Sequence, residues 1–329
     1  MNISTITPRL KAFSHALVSL VSATIIHAGE MLPPTQYPDP TPQVVREDPF
    51  ERAIRPITNP TVFDLAVPRT QAHAIFMYQN LPDSLNTTIG NVPVDGDFQH
   101  YALQLEYALS EQFSLIALKD GFIDLNPDST LSEENGFANL AAGFKWAFLY
   151  RPEDRLSVSL TTQVEVPTGN GDVFQGTGDG ALIPSLSILK LYDRFQFAET
   201  LGLHLPFDSD EESTTLFYSA HVSYALTDRF FPLAELNYFR VLDEGDGGRR
   251  FNSQVGGAVP AVAEFEGGDL INLGSANASS NRDLLTLGLG FRFRATDHLD
   301  IGAAYEIPLT DEEDNLMDSR ITLDVVYRF

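Results

Sequence analysis

The feature that most constrains this chain is an alternation of apolar with polar or small side chains, which runs from about residue 71 to the last residue. A period of two places alternate side chains on opposite faces of a β-strand, whereas an α-helix has a period of about 3.6. The last ten residues show the pattern best, because one face carries Ile321, Leu323, Val325, Tyr327 and Phe329. The alternation predicts an all-β fold.

The alternating region divides into about twelve candidate strands, each near the length of a membrane-spanning β-strand. They lie near residues 71–79, 98–109, 113–120, 137–149, 155–166, 181–191, 194–205, 215–226, 229–241, 282–294, 298–308 and 320–329. The strands at 71–79, 113–120 and 181–191 alternate poorly.

The connections between these strands alternate between short and long. Short turns fall at residues 110–112, 152–155, 192–194, 227–229 and 296–298, and long polar loops at 80–97, 121–136, 167–180, 206–214, 242–281 and 309–319. Outer-membrane barrels have short periplasmic turns, long outer loops and an even strand count, so we predict an up-and-down antiparallel transmembrane β-barrel of about 12 strands. The expected location is the bacterial outer membrane.

The acidity of the chain is concentrated in the long loops. The formal net charge is −24, with 21 Lys and Arg against 45 Asp and Glu, and there is no Cys. Five of the six long loops hold 18 acidic residues and no Lys or Arg, while loop 242–281 has six acidic residues and two Arg. Nucleic-acid binding needs a basic face, so it is excluded. The acidic loops predict a negative outer rim that attracts cations and repels anions.

The N-terminal region has a different composition. Residues 1–29 read as a signal peptide, with Arg9 and Lys11 before the apolar stretch 16–26; a short amphipathic helix is the alternative. Residues 30–70 read as a Pro-rich arm or tether, since 33–60 hold eight of the 20 prolines. The part at 50–66 is apolar enough to pack against something, such as a lumen. The barrel is expected to occupy residues 71–329.

A secreted soluble β-sandwich is the rival fold, because its strands also alternate. A sandwich has shorter strands and more frequent turns than this chain. The inward faces would carry small and polar residues such as Ser157, Ser159, Gly288 and Gly290, which suits a water-filled lumen. These features favour the membrane barrel.

The last strand resembles the C-terminal signature of outer-membrane β-barrel proteins. In that class, a terminal Phe preceded by alternating apolar residues is read by the barrel-assembly machinery. The matching residues here are Ile321, Leu323, Val325, Tyr327 and Phe329. The resemblance implies that this machinery is a partner during biogenesis.

The loop after the fifth strand resembles a Pro-Thr-Gly loop of the transporter-like outer-membrane family named for the meta-pathway of phenol degradation. The matching residues are Pro167, Thr168, Gly169, Gly178 and Asp179. The resemblance implies passage of small, apolar or aromatic compounds across the outer membrane. A glycine-rich turn that requires positive φ is the alternative interpretation of the same loop.

The phase of the alternation also predicts a charged lumen. The inward positions are Glu106, Lys145, Glu165, Arg292, Arg294, Glu306, Asp324 and Arg328. Opposite charges in a confined space should pair and brace the wall. The other possibility is that Arg292 and Arg294 face carboxylates across a constriction and set a transverse field. Glu199 would face lipid in strict alternation, so we expect a bulge or a shifted register there.

Catalytic and metal-binding patterns are weak. The strand residues His100, His204 and His221 point inward, and no Ser lies in a nucleophile motif. Residues 243–248 are acidic but lack the later ligands of a calcium loop. We therefore predict no enzymatic activity, no metal and no cofactor.

The favoured function is a channel or transporter for a small-molecule solute, in contact with outer-membrane lipid and lipopolysaccharide. One alternative is a structural barrel, plugged by the N-terminal arm or by loop 242–281. The other is the soluble sandwich.

Overall fold

The structure is a computed structural model, and it describes residues 48–329. The predicted signal peptide and the first part of the Pro-rich arm lie outside the described residues. Among the residues described, no helix is long and apolar enough to cross a membrane.

The described chain forms β-strands joined by turns and four 3-10 helices, at Pro49–Arg52, Pro152–Asp154, Gly171–Val173 and Glu312–Asp314. The strands are β1 (Gln71–Asn80), β2 (Ser84–Leu85), β3 (Val92–Pro93), β4 (Gly96–Ser110), β5 (Phe113–Lys119), β6 (Phe122–Pro127), β7 (Glu134–Phe137), β8 (Leu140–Arg151), β9 (Leu156–Val166), β10 (Ala181–Tyr192), β11 (Phe195–Pro206), β12 (Thr214–Tyr224), β13 (Phe230–Asp243), β14 (Arg250–Asn252), β15 (Ala258–Pro260), β16 (Asp283–Thr296), β17 (Leu299–Pro308) and β18 (Ser319–Arg328).

Twelve of these strands close into one antiparallel barrel. The strand order is β1-β18-β17-β16-β13-β12-β11-β10-β9-β8-β5-β4, and β4 returns to pair with β1. At the seam, Gln71 of β1 lies opposite Arg328 of β18 on one side and Glu106 of β4 on the other. The predicted barrel of twelve strands is confirmed, and the alternative of a soluble β-sandwich is wrong.

The loop predicted at 121–136 is partly strand. After a break at Asp120 and Gly121, β6 continues along β4, and β7 pairs with β6. Gly121 has φ 116° at this break, and the Asp120 carboxylate accepts from the Leu103 N–H at 3.1 Å. The break therefore replaces ladder hydrogen bonds locally, and the wall continues above it.

The two faces of the wall have opposite character. On β4 the outward Leu103, Leu105 and Tyr107 are 51%, 50% and 59% exposed, whereas the inward Ser157 and Ser159 on β9 are fully buried. Apolar side chains facing out and polar side chains facing in are the pattern of a lipid-embedded barrel.

Glu199 faces lipid after all. Its pairing with Ile188 of β10 and Ala220 of β12 continues in register on both sides, so the expected bulge or register shift is wrong. The side chain is exposed on the outward face of β11. A carboxylate at such a position costs less toward the membrane interface than at the midplane.

Candidate functional site: the filled lumen

The lumen is occupied by residues 48–70, called the lumen segment below. The segment enters beside β8, where the Tyr150 hydroxyl donates to Asp48 at 2.5 Å. It reaches the outer loops at Thr61, whose hydroxyl donates to the Asp269 carbonyl at 3.1 Å. It returns to Thr70, whose carbonyl accepts from Phe329 N–H. The segment thus folds back on itself, and the lumen is not the open, water-filled space expected from the sequence.

Wall side chains satisfy the backbone of the lumen segment. Gln196 accepts from the Ile54 N–H at 2.9 Å and donates to the Ile54 carbonyl at 2.7 Å. Ser157 donates to the Ala66 carbonyl at 2.6 Å. Glu235 accepts from the N–H groups of Ile57 and Thr58 at 3.0 and 2.7 Å. Because buried backbone groups need partners, these polar wall residues take the place of a neighbouring strand.

A buried charge cluster joins the segment to the wall. Lys145 Nζ lies 2.6 Å from Asp64 and 2.8 Å from Glu106, and Arg55 contacts Asp64 at 2.9 Å. All four side chains are almost inaccessible to water. Two cations therefore balance two anions, one of each from the wall and one of each from the segment.

A second cluster spans β16 to β18. Arg292 contacts Asp324 at 2.7 Å, and His73 contacts the same carboxylate at 2.7 Å. Arg292 also donates through Nε to the Arg55 carbonyl of the lumen segment at 2.9 Å. Gly302 lies between the pair on β17, and a Cβ there would overlap Asp324 Oδ1. A glycine is needed at this position for the ion pair to cross the strand.

The other predicted lumen charges also point inward and are paired. Arg294 and Arg328 contact Asp300 at 3.0 and 2.5 Å. Glu165 is paired with Lys119 at 2.6 Å, and Glu306 lies 3.6 Å from Arg320.

The pairing partners were partly missed at the sequence level. Asp300 and Lys119 lie on predicted strands, and Asp300 shares its face with Glu306, so the alternation could have identified Asp300. Asp64 and Arg55 lie in the lumen segment, which has no strand period. The bracing interpretation agrees with this geometry, because Arg292 and Arg294 pair with carboxylates one or two strands away.

The three strand histidines have separate surroundings. His100 Nε2 contacts the Asp120 carbonyl at 2.8 Å, and His204 Nε2 lies 3.8 Å from Glu165. His221 lies between Glu235 Oε1 at 2.7 Å and Ser223 Oγ at 3.0 Å. The Ser–His–Glu contact lies beneath the lumen segment, and Glu235 already holds that segment. It therefore forms part of an anchor.

The outer loops form a cap over the barrel. Sixteen buried apolar residues from several of these loops and the strand ends beside them form one cluster, including Phe174, Phe251, Phe265, Leu270 and Leu316. The strands β14 and β15 form a hairpin within loop 242–281. The predicted polar loops thus have a hydrophobic core of their own, called the outer cap below.

The loop with Pro167, Thr168, Gly169, Gly178 and Asp179 is part of the outer cap. Thr168 accepts from the Leu140 N–H at 3.1 Å, and Asn139 accepts from Gly169 at 3.0 Å. Gly178 has φ 63° and donates to Glu211 at 3.0 Å, while Asp179 is exposed. The loop is therefore held as a turn by hydrogen bonds, and Gly178 supplies a left-handed conformation.

The residues of the predicted assembly signature line the outer surface of β18. Ile321, Leu323, Val325 and Tyr327 are all exposed on the lipid-facing side, and Phe329 follows the last strand residue. In residues 48–329, no group of three or more acidic or His side chains is arranged to hold a metal ion.

A small cavity separates the outer end of the lumen segment from the outer cap. Its volume is about 30 Å³. It is lined by Val62 of the segment, by wall residues including Gln163, Glu165 and His204, and by residues 268–272 of the cap. In the described structure, the lumen therefore narrows to a space that fits about two water molecules.

The outer cap should be sensitive to pH through Glu266. Burial raises the pKa of its carboxyl to about 7, against the N–H groups of Leu273 and Gly274 that it accepts. An acid whose pKa is raised on folding stabilises the fold when protonated, and this stability is lost as pH rises through about 7. Hydrogen exchange in residues 266–274, corrected for intrinsic rates, should therefore increase between pH 5 and 8.

The control for this prediction is Glu266→Gln, which cannot ionise. Its corrected exchange should not change over the same range. Equal pH dependence in the two proteins would contradict the role of Glu266.

A closed antiparallel barrel with an apolar outer face and a polar interior is an outer-membrane β-barrel. Residues 88–295, well over half of the chain, match the family described as "Putative MetA-pathway of phenol degradation". The chain belongs to this family, and its location is the bacterial outer membrane. No curated protein sequence matches it.

Solved structures of outer-membrane barrels share the fold. The COG4313 outer membrane channel from Pseudomonas putida F1 is 12% identical, with 80% of this chain and 96% of that chain covered and a TM-score of 0.54. The NanC porin is 7% identical, with 78% and 100% covered and a TM-score of 0.48. A FadL homologue from Pseudomonas aeruginosa is 12% identical, with 79% and 90% covered and a TM-score of 0.37.

Proposed function

We propose that this protein is an outer-membrane channel for small molecules and that the lumen segment is its gate. The observation that carries the proposal is a closed barrel whose polar interior is filled by residues 48–70 of the same chain. The segment is joined covalently to the wall only where it continues into β1. Its other contacts are hydrogen bonds, ion pairs and apolar packing, which can be broken and remade.

Apolar or aromatic compounds are the proposed solutes. The family resemblance of the 167–180 loop and the apolar residues of the outer cap support this choice. The acidic outer loops would disfavour anions at low salt. We also propose lipopolysaccharide contact at the outer rim, the barrel-assembly machinery as a partner through the β18 signature, and a cleaved signal peptide at residues 1–29.

A plugged barrel without a transport role is the second candidate. The filled lumen favours it, because a segment held by buried ion pairs is costly to displace. A catalytic role is not proposed, since Ser223 lies beneath the lumen segment and its neighbours His221 and Glu235 serve to anchor that segment.

A disulfide between the lumen segment and the wall tests the gate. A Cβ on Gly288 would lie 3.6 Å from the Cβ of Thr58, within the range that disulfides require. The natural chain has no Cys, so Thr58→Cys/Gly288→Cys adds a single possible bridge. In planar bilayers and in liposomes, reduced protein should conduct and admit solute, and oxidation should lower both by roughly tenfold.

The matched control is a bridge within the wall. Ser159→Cys/Ser187→Cys joins facing positions on β9 and β10 and leaves the lumen segment free. Oxidation of this variant should leave conductance unchanged. Well-folded protein with no conductance or solute flux in either redox state would overturn the channel and favour the structural barrel.

A further inference from the structure

We infer that the cavity between the lumen segment and the outer cap is a binding site for the ammonium head of an amphipathic organic cation. The inference deepens the proposed channel function, because it names a class of solute. It rests on unpartnered acceptors, on local charge and on the apolar side of the cavity.

Two buried acceptors at the cavity have no partner. Gln163 Oε1 and Glu165 Oε2 accept no hydrogen bond, although both residues are only 3% exposed. The other oxygen of Glu165 is used by Lys119 at 2.6 Å and Asn139 at 2.7 Å. Unpaired buried acceptors are costly, so a donor placed in this cavity would gain more than one in water.

The unpartnered atoms continue along the strand. Ser159 Oγ and Thr161 Oγ1 on the same inward face of β9 also lack partners. These two residues with Gln163 and Glu165 form the β9 stripe. The stripe leads from the cavity toward the middle of the barrel, so a polar head could exchange one set of oxygens for the next.

The charge at the cavity favours a cation over a neutral donor. The lining includes the carboxylates of Glu165, Glu266 and Asp269 against one cation, Lys119. Arg320 pairs with Asp269 from outside the lining. The acidic outer loops would raise the local concentration of cations above the site.

The opposite side of the cavity is apolar and suits a hydrocarbon body. Val62, Ile183, Phe217 and Phe239 line it, and aromatic faces attract ammonium groups. The present volume of about 30 Å³ admits the head alone. Room for the body must come from movement of the lumen segment at Thr61 and Val62 or of the wall.

The wall beside the cavity is suited to such movement. Pro184 of β10 has no N–H, and the pairing of β10 with β11 skips Ile183 and Pro184 before it resumes in the same register. Proline inside a strand removes a ladder hydrogen bond. The residues opposite this gap include His204, which also lines the cavity. The side wall of the site is therefore less firmly paired than its surroundings.

Calorimetric titration of the detergent-solubilised full chain tests the site with 2-phenylethylammonium as the probe. We expect saturable binding, about tenfold weaker binding of the neutral 2-phenylethanol and no binding of the anion 3-phenylpropanoate. Gln163→Leu and Glu165→Gln should each weaken binding of the ammonium probe by about tenfold.

The matched control is Gln71→Leu. Gln71 is also buried with an unpartnered Oε1, but it lies at the opposite end of the barrel on β1. This variant should bind the probe like the natural protein. Equal binding of all three probes, no binding, or an effect of Gln71→Leu equal to that of Gln163→Leu would overturn the site.

The outcome is separable from that of the channel. Redox-dependent conductance of Thr58→Cys/Gly288→Cys without binding of the ammonium probe would reject the site alone. Binding that depends on Gln163, in a protein that never conducts, would reject the channel and keep the site.

Discussion

Replacing Lys145 with methionine is expected to destabilise the barrel by about 3–5 kcal/mol, because it leaves buried carboxylates without their shared cation. Lys145 Nζ contacts both Asp64 and Glu106, and the lysine side chain is fully buried. Arg55 would still pair with Asp64, but Glu106 would lose its only ion-pair contact among the described residues. Equilibrium unfolding in guanidinium, with the protein in lipid vesicles, measures the change.

A second lysine provides the matched control. Lys190 donates to the Asp154 carbonyl at an exposed periplasmic turn, so Lys190→Met should change stability by less than about 1 kcal/mol. The double variant Lys145→Met/Glu106→Gln should recover part of the loss, since it removes an unpaired anion. If both lysine variants were equally stable, the cluster would not hold the lumen segment.

Replacing Gly302 with alanine should separate the Arg292–Asp324 pair. The added methyl would overlap Asp324 Oδ1 and would lie 3.1 Å from Arg292 Cζ and 2.8 Å from Ile57 Cδ1 of the lumen segment. Loss of a buried pair by steric displacement should cost on the order of 3 kcal/mol. The same unfolding experiment should show it, together with faster hydrogen exchange at Ile57.

Gly171→Ala is the control for this substitution. A Cβ at Gly171 has nothing within 4 Å, so alanine there should leave stability close to that of the natural protein. A Gly302→Ala variant as stable as Gly171→Ala would show that the ion pair can cross β17 over a side chain.

The wall was predictable from the sequence because a strand with one face in lipid and one face inward must alternate. The period fixed which residues of β16 to β18 point inward, and Arg292, Asp324 and Arg328 do so. It also located the short periplasmic turns. The break at Asp120 and Gly121 was not predicted, since the alternation there is interrupted by a single left-handed glycine.

The contents of the lumen were harder to predict. The lumen segment has no regular secondary structure beyond one short 3-10 helix, so no period reveals which of its residues face the wall. Its apolar composition at 50–66 indicated packing but not the pairing of Asp64 with Lys145. The outer cap was missed for a similar reason, because its core gathers single residues such as Phe174 and Phe265 from separate loops.

The position of the lumen segment in the chain has a consequence for assembly. The segment directly precedes β1, and β1 is the strand that meets β18 to close the seam. Contacts such as Arg292 with the Arg55 carbonyl join residues 237 positions apart. Ring closure and filling of the interior therefore depend on the same late, long-range encounter, and such topologies fold slowly. A truncated chain that stops before β18 would lack not only its last strand but also the Asp324 that holds Arg292 and His73 in place around the segment.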